Sequence, residues 1–481
     1  MNSARIRWTH RLRLRWTHRL RQGVALSAAL MMAGCSTVSG MSDLVFGSDK
    51  PVGPQPGYIK GFVGGVAADE PRAALVARDV LSSGGNAADA AVALAMMLTV
   101  TLPSRASLGG GGACLAYRPD GKGGLKEPQA IMFLPQPASQ IGGSSRPAAI
   151  PAMAQGFQLL NSRFGSKSFR SLVLKAEETA RFGFPVSAAL AADFQVVGGA
   201  LLEDAGSRAV FGTNGWLPGI GDQLVQPELA NSLLRLRGFG DQSYEAAIEA
   251  AAPKLGLRLT IDASQAKLVP PVVVRAGRDN VAFLPPPADG GIAAAAAFKL
   301  LQSDPGQWRR AQQRAEAAAS AWRSGHASVE GVLNGAGSSR ALPPLPASTS
   351  FVTMDRDGNA VSCALTMNNL FGNGEVLPGT GILLAASPDR GPQPLLSAAL
   401  AWNPAKDAFR AATAGSGQEG APLAAGAAMA NALRSREAIA TKLPEPTRMN
   451  AIGCAGYLPG SSGSCGWVTD PKGAGVALGA R

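Results

Sequence analysis

The chain has 481 residues, of which 46% are apolar and 16% are charged. This composition is typical of one large or two medium globular domains, and it excludes a disordered or fibrous protein. The formal net charge is +12, but seven arginines and no acid lie in residues 1–34, so that segment carries most of the excess. The rest of the chain has no basic stripe or nucleic-acid-binding motif, so we expect no nucleic-acid partner.

The first predicted element is an export signal. The arginine-rich "RIRWTHRLRLRWTHRLRQ" is followed by the apolar "GVALSAALMMAG" and then by Cys35. The apolar run is too short to span a bilayer. The "MMAGC" ending is close to the pattern at which bacterial lipoprotein precursors are cut. We therefore expect a signal peptide over 1–34, a lipidated Cys35 that anchors the protein to a membrane in the periplasm, and a tether over 35–58. An ordinary signal peptide with an incidental cysteine is the alternative.

Strand-like and helical segments alternate from residue 59 onward. The run "GGNAADAAVALAMMLTVTLP" predicts a buried helix with Asn86 as its N-cap, Asp89 in its first turn and Pro103 after its end. The following "LGGGGACLAY" predicts a turn into a strand, where the glycines allow close backbone packing; an anion-binding loop is the alternative. Two amphipathic helices that end at glycine are predicted in "KSFRSLVLKAEETARFGFPVS" and "QPELANSLLRLRGFG".

A flexible linker and a β-hairpin follow. Residues 333–347 have the composition of an exposed linker, and "TSFVTM" and "AVSCALTM" are strand-like runs joined by the turn sequence "DRDGN". Ser348 stands where the linker meets the first strand. If the peptide bond before Ser348 were cut, its α-amine, with a pKa of about 7.7–8.0, could act as a base for its own hydroxyl. A Ser/Thr-rich loop without chemistry is the plainer local interpretation.

Histidine and cysteine counts limit the other chemistries. Only His326 remains after the signal peptide, and no nucleophile signature surrounds it, so we expect neither a histidine-based triad nor a histidine-ligated metal. Cys454 and Cys465 flank a Gly/Ser/Pro-rich loop that a disulfide could close. Cys114 and Cys363 lie in apolar, strand-like runs, where we expect buried free thiols.

Seven stretches, in order, resemble the γ-glutamyltransferase family of N-terminal-nucleophile hydrolases. They are "DVLSSGGNAADAAVALA", "LGGGGACL", "IPAMAQGF", "ARFGFPVS", "GDQLVQPELANSL", "PPPADGG" and "MDRDGNAVSCALTMNNLFGNGEVLPGTGILL". The resemblance implies an α/β (α+β) fold, a four-layer αββα sandwich, made as a precursor that cuts itself into a large subunit (59–347) and a small one (348–481). It also implies cleavage or transfer of γ-glutamyl groups from small-molecule amides such as glutathione, without cofactor or metal.

The resemblance assigns most of the site to the small subunit. Alignment on "DRDGN" places Ser348 at the nucleophile and Ser350 where the family has histidine, and a shift by one residue makes Thr349 the alternative nucleophile. Thr366 matches the residue that supports the nucleophile's amine, and Asn368 matches one that binds the glutamyl group.

Other family positions differ in this chain. Leu134 stands where an arginine normally binds the substrate α-carboxylate, and Arg105 is expected to form a structural salt bridge rather than replace it. Partial matches to the segment that binds the substrate amino group are Asp389 and Ser397. The oxyanion turn reads "AGSGQEGAP", and its backbone donors could come from Ser416, Gly417 or Gln418.

Three functions therefore stay open on the sequence. The chain could be a self-processing γ-glutamyltransferase-like enzyme, an acylase of this superfamily that acts on a different amide, or an inactive envelope lipoprotein that keeps the fold. Because Leu134 cannot pair with a carboxylate, glutathione is expected to be a poor donor, and amides without a free α-carboxylate are expected to be better substrates.

Overall fold

The structure is a computed structural model that describes residues 61–119, 126–142, 146–238, 241–325, 327–335, 342–343, 345–435 and 443–480. The predicted signal peptide, Cys35, the tether and His326 lie outside the described residues. Within the described part, no helix combines the length and apolar character needed to cross a bilayer.

Helices of the described chain fall mostly before the predicted cleavage point. They are α1 (Pro71–Ser82), α2 (Ala87–Thr101), α3 (Met153–Phe164), α4 (Phe169–Phe182), α5 (Ala188–Glu203), α6 (Ala205–Phe211), α7 (Pro227–Gly238), α8 (Asp241–Ala251), α9 (Gly290–Ser303), α10 (Trp308–Arg323), α11 (Val329–Leu333) and α12 (Ala421–Arg434). Both predicted amphipathic helices are confirmed as α4 and α7, and Gly183 is the C-cap residue of α4.

The strands of the described chain are β1 (Gly64–Ala68), β2 (Gly111–Tyr117), β3 (Gln129–Phe133), β4 (Gln136–Pro137), β5 (Ser139–Gln140), β6 (Ala149–Ile150), β7 (Phe184–Pro185), β8 (Gln223–Leu224), β9 (Leu257–Arg258), β10 (Lys267–Val269), β11 (Val272–Ala276), β12 (Asp279–Phe283), β13 (Ser348–Asp355), β14 (Ala360–Thr366), β15 (Val376–Leu377), β16 (Ile382–Leu383), β17 (Ser397–Asn403), β18 (Ala408–Ser416), β19 (Arg448–Leu458), β20 (Cys465–Thr469) and β21 (Val476–Ala480). A seven-stranded sheet has the order β10-β3-β2-β14-β13-β1-β21, and a six-stranded sheet has the order β11-β12-β17-β18-β19-β20. The remaining strands form two-stranded pairs.

The two large sheets pack face to face between two layers of helices. Apolar side chains such as Leu115, Val352, Trp402 and Ile452 fill the space between the sheets. Helices α1 to α4 and α7 contribute to a second core on the outer face of the seven-stranded sheet, and α9, α10 and α12 contribute to a third on the outer face of the six-stranded sheet. This arrangement confirms the predicted αββα sandwich.

Helix α2 lies in the core as its sequence predicts. Asn86 and Asp89 form a reciprocal capping box, in which each side chain accepts a hydrogen bond from the other's backbone N–H at 2.9 Å. Every residue of the helix is buried, which the small alanine side chains permit. The helix ends at Thr101, two residues before Pro103.

The glycine run before β2 serves close backbone packing. A Cβ atom at Gly109 would lie 2.2 Å from the carbonyl oxygen of Leu383, and one at Gly111 would lie 2.3 Å from that of Phe133. No side chain fits at such distances. The glycine run therefore lets β2 and the loop before it pack closely against neighbouring backbone. This is the close backbone packing that the sequence predicted.

Two disulfides join neighbouring strands. Cys454 and Cys465 pair across β19 and β20, so the disulfide that the sequence left open is present. Cys114 and Cys363 also form a disulfide, with their Cα atoms 4.1 Å apart, so the expectation of free thiols is wrong. The physical reason is register: β2 and β14 place the two cysteines directly opposite each other, although 249 residues separate them in sequence.

The chain is packed, not exposed, immediately before β13. Leu345 is buried against the core beneath α9 and α12. The expectation of an exposed linker is therefore wrong at this point, because the apolar Leu345, three positions before the strand, packs into a hydrophobic core. Residues 336–341 and 344 of the linker lie outside the described residues.

Candidate active site

Ser348 is the first residue of β13, near the middle of the seven-stranded sheet. Its side chain is buried, and its Oγ donates a hydrogen bond to the carbonyl oxygen of Gly417 at 3.2 Å. Because alternate residues of a strand share a face, Ser350 points the same way, and its Oγ accepts a hydrogen bond from Asn450 on β19. The hydroxyl of Ser348 thus faces the six-stranded sheet at the end of β18.

A second hydroxyl is directed at the peptide bond before Ser348. Thr366 lies opposite Ser348 in the β13–β14 register, and its Oγ1 donates to the carbonyl oxygen of Ala347 at 3.3 Å. The same Oγ1 accepts a hydrogen bond from the backbone N–H of Asn368 at 2.9 Å, which fixes the hydroxyl's orientation. The Ala347–Ser348 bond is therefore flanked by two oriented hydroxyl groups.

The start of β13 is also held by a buried carboxylate that the sequence interpretation missed. Asp69, directly after β1, accepts hydrogen bonds from the backbone N–H of Ser350 at 2.9 Å and from Thr349 Oγ1 at 3.1 Å. Asn450 Nδ2 donates to the other oxygen of Asp69 at 2.8 Å. Thr349, the alternative nucleophile, thus has its hydroxyl bound to a carboxylate. An acidic residue at the end of an apolar strand was the available signal for Asp69, whereas Asn450 is 381 residues away.

A cavity of about 540 Å³ lies beside the junction. Loops rather than strands form it: its described lining residues fall within segments 146–147, 345–346, 368–373 and 386–393, together with Gln418. Since Leu345 and Pro346 line it, the cavity reaches the residues that immediately precede the Ala347–Ser348 bond.

The structure brings only one of the three predicted glutamyl-binding side chains to the cavity. Asn368 lines it in a left-handed conformation (φ 55°), with Nδ2 donating to the carbonyl of Ala386 and Oδ1 buried without a partner among the described residues. Asp389 is exposed on the 3₁₀ turn Pro388–Arg390 and is not among the described lining residues. Ser397 is buried, and its hydroxyl donates to the backbone carbonyls of Leu395 and Gly290.

The predicted oxyanion turn connects β18 to α12. Ser416 ends β18, and its hydroxyl is buried without a partner among the described residues. Gly417 has φ 96°, and a Cβ there would lie 2.8 Å from the Cα of Thr447, so glycine is required. Gln418 lines the cavity, and α12 begins three residues later. The backbone N–H groups at the start of a helix lack intrahelical partners and favour negative charge.

The arginines that line the cavity are not at position 134, where the family has its substrate-binding arginine. Leu134 is half-buried against the core between the sheets and is not among the described lining residues. Arg105 binds Asp193 through two hydrogen bonds at 2.8 and 2.6 Å, which confirms the expected salt bridge. Arg146 and Arg390 do line the cavity. The sequence interpretation missed Arg146, which precedes the family stretch "IPAMAQGF" and matches no motif position.

Metal ligands are not clustered in the part of the chain that the structure describes. There, no group of three or more His, Cys, Asp or Glu side chains could hold a metal ion.

Comparison with known proteins identifies the family. The gamma-glutamyltranspeptidase family model matches residues 73–332 and 299–409. The glutathione hydrolase proenzyme of Escherichia coli (strain K12) is 30% identical over 384 residues, which are 68% of this chain and 66% of that protein. The glutathione hydrolase proenzyme of Bacillus subtilis (strain 168) is 28% identical over 288 residues, which are 53% of this chain and 48% of that protein. The match thus spans about half to two thirds of these relatives.

Solved structures show the same fold. The cephalosporin acylase from Bacillus halodurans superposes with a TM-score of 0.68 over 90% of this chain and 98% of that one, at 18% sequence identity. At that identity the likeness shows the fold alone. The family match, which covers most of the described residues, shows that the chain belongs to the gamma-glutamyltranspeptidase family.

Proposed function

We propose that this protein is a self-processing amidohydrolase or acyltransferase that uses Ser348 to cleave γ-glutamyl or related acyl amides. Family membership supports the reaction class. The observation that carries the proposal is the pair of hydroxyls at the Ala347–Ser348 bond, one on Ser348 and one donated by Thr366 to the carbonyl of Ala347.

In the proposed self-cleavage, Ser348 Oγ attacks the carbonyl carbon of Ala347 and loses its proton. The hydrogen bond from Thr366 stabilises the negative charge that develops on the carbonyl oxygen. The C–N bond then breaks, the nitrogen of Ser348 takes up a proton and becomes an amine, and the acyl group remains on Oγ as an ester. Water hydrolyses this ester, which leaves a carboxylate on Ala347 and a free hydroxyl and α-amine on Ser348.

The same serine then acts on substrate. Its α-amine, with an ordinary pKa of about 7.7–8.0, takes the proton from Oγ as the oxygen attacks the amide carbon. The protonated α-amine returns this proton to the leaving nitrogen as the C–N bond breaks, and water or a second amine then removes the acyl group from Oγ. Of the three oxyanion donors left open by the sequence, we favour the backbone N–H of Gln418, because Gln418 is the one among them that lines the cavity.

Purified protein tests this proposal when self-cleavage and hydrolysis are followed together. Wild type is expected to run as two chains on reducing, denaturing gels. The native protein is expected to hydrolyse an acyl p-nitroanilide. Ser348→Ala should remain one chain and lose hydrolysis, whereas Ser348→Thr, which keeps a hydroxyl, should retain cleavage. Thr349→Ala, the matched change next to it, should still be cut. A wild type that stays uncut and inactive would contradict the proposal and favour the scaffold interpretation.

We also propose that the protein is exported and anchored through Cys35. Two disulfides among the described residues support an oxidising compartment. Fractionation of cells that express wild type or Cys35→Ser should find the wild type with membranes and the variant released. Wild type in the soluble fraction would contradict the anchor while leaving the enzyme proposal intact.

A further inference from the structure

The hydrogen bonds of β13 show which way the backbone nitrogen of Ser348 points. The carbonyl of Ala347 points towards β14, because it accepts a hydrogen bond from Thr366. The Ala347–Ser348 bond is trans, and in a trans peptide the C=O and N–H bonds point in opposite directions. The nitrogen of Ser348 therefore points away from β14 and towards β1, the strand on the other side of β13.

Asp69, which directly follows β1, lies on that same side of β13. Its carboxylate accepts a hydrogen bond from the backbone N–H of Ser350 at 2.9 Å. The N–H groups of residues two apart in a strand point the same way, so those of Ser348 and Ser350 share a side. Two residues of extended strand span about 7 Å, which places the carboxylate on the order of 7 Å from the nitrogen of Ser348.

Asp69 also lines a second cavity, of about 480 Å³, which shares no described lining residue with the cavity beside the junction. The other charged residues among its described lining are Arg105, Asp193, Arg448 and Lys472. Arg105 pairs with Asp193, and both Arg448 and Lys472 pair with Glu445. Asp69 instead accepts hydrogen bonds from three neutral groups and forms no ion pair with a described cation. Its charge is therefore available to balance a new positive charge nearby.

Other charged groups around Ser348 have partners of their own or lie on its other side. Glu70 caps α1, where its carboxylate accepts hydrogen bonds from the backbone N–H of Ala73 and the hydroxyl of Thr101. The cavity beside the junction has two arginines among its described lining residues, and Glu419 follows in the turn after β18; the arginines are Arg146 and Arg390. Asp69 is thus the carboxylate on the side of the nitrogen that lacks a charged or capping partner among the described residues.

We propose that the Asp69 carboxylate stabilises the protonated form of the Ser348 α-amine and so sets the pH above which this amine can act as the catalytic base. The inference rests on the proposed function, since the amine exists only after cleavage of the Ala347–Ser348 bond. Asp69 touches neither Oγ nor a substrate, so it is a positioning residue that acts through the amine.

The direction of the effect follows from the sign of the charge. A negative charge favours the ammonium form, so the pKa of the amine should lie above its ordinary value of about 7.7–8.0. At about 7 Å and an effective dielectric constant of about 20–40, one unit charge shifts a pKa by about one to two units. The free amine, and with it hydrolysis, should therefore appear at higher pH than an isolated N-terminus would give.

Two measurements on cleaved protein test this. The pH dependence of kcat/KM for an uncharged substrate, butyryl p-nitroanilide, reports the pKa of the base in the free enzyme. Labelling of the small chain's N-terminus with an amine-selective reagent, followed against pH by mass spectrometry, reports the same pKa without a substrate. Asp69→Asn should lower both values by about one unit or more. Asp69→Glu, which keeps the charge, should stay closer to wild type, and Asp79→Asn, at an exposed position, should match it.

The outcomes distinguish this inference from the proposed function. If Asp69 only held the strand, Asp69→Asn would lower the plateau rate but leave the amine's pKa unchanged, and that result would overturn the inference while Ser348 chemistry stands. If Asp69→Asn stays uncut and has no amine to titrate, the wild type decides: an amine pKa at or below the ordinary range overturns the inference. A wild type that is itself uncut and inactive contradicts the proposed function, and the inference fails with it.

Discussion

The proposed cleavage junction, at the Ala347–Ser348 bond, and the cavity beside it are built differently. The junction is formed by paired strands, β13 and β14, whose register places Ser348 opposite Thr366. The cavity is formed by loops from several parts of the chain. Strand register fixes side chains closely, whereas loops tolerate substitution and carry specificity. The comparison suggests that the reaction can be retained while the substrate changes.

This difference separates two kinds of variant. Changes at the junction should alter self-cleavage and substrate hydrolysis together, because both proposed reactions use Ser348. Changes in the cavity should alter hydrolysis alone, because the bond cut in self-cleavage belongs to the chain itself and no separate substrate has to bind. The predictions below test that separation, from the largest expected effect on the site to the smallest.

Thr366→Val should slow self-cleavage about 100-fold, because it removes the hydroxyl that donates to the Ala347 carbonyl while keeping the side chain's shape. The half-time of precursor conversion on reducing gels measures the effect. Thr366→Ser keeps the donor and should convert at nearly the wild-type rate. Equal conversion in the valine and serine variants would show that the Thr366 hydroxyl has no part in the cleavage.

Asn368→Asp should lower hydrolysis of a carboxylate-bearing anilide about tenfold, because it adds a negative charge to the cavity. Self-cleavage should be unchanged, since Thr366 is bonded by the backbone of residue 368 and not by its side chain. Asn214→Asp is the control, because Asn214 has a similar left-handed conformation but is exposed. A loss of self-cleavage equal to the loss of hydrolysis would break the separation between junction and cavity.

Asp69→Asn should slow self-cleavage a few-fold and lower the free energy of unfolding by about 1–3 kcal/mol. It weakens the buried acceptor that holds Thr349 and Ser350 at the start of β13. Urea denaturation and precursor conversion measure the two effects. Asp79→Asn, at an exposed position, should change neither. Wild-type behaviour in both measurements would mean that Asp69 does not position the strand.

The Cys114–Cys363 disulfide should join the two subunits covalently, and its removal should leave catalytic rates unchanged. Cleavage before Ser348 would place Cys114 in the large chain and Cys363 in the small one. Cleaved wild type should therefore run as one band on non-reducing denaturing gels and as two after reduction. Cys114→Ser/Cys363→Ser should run as two bands in both cases, while Cys454→Ser/Cys465→Ser should behave as wild type. Two bands from unreduced, cleaved wild type would contradict the bond.

The sequence predicted the parts of the molecule that depend on local patterns. The capped, alanine-rich helix after Asn86 and the turn before Asn359 have strong local signals, and the family motifs supplied the four-layer order. The sequence could not predict what depends on distant chain segments meeting. Asp69 with Asn450 and Cys114 with Cys363 are examples, because only sheet register brings them together. Arg146 belongs to the same group, since a loop carries it into the cavity.

The N-terminal residue of the small chain tests the central claim most directly. Purified wild type should be reduced, its chains separated, and the smaller one analysed by N-terminal sequencing and intact mass. The account predicts a chain that begins at Ser348 and ends with the C-terminus, and no such chain from Ser348→Ala. A small chain that begins at Thr349, or a wild type that remains a single uncut chain after reduction, would contradict it.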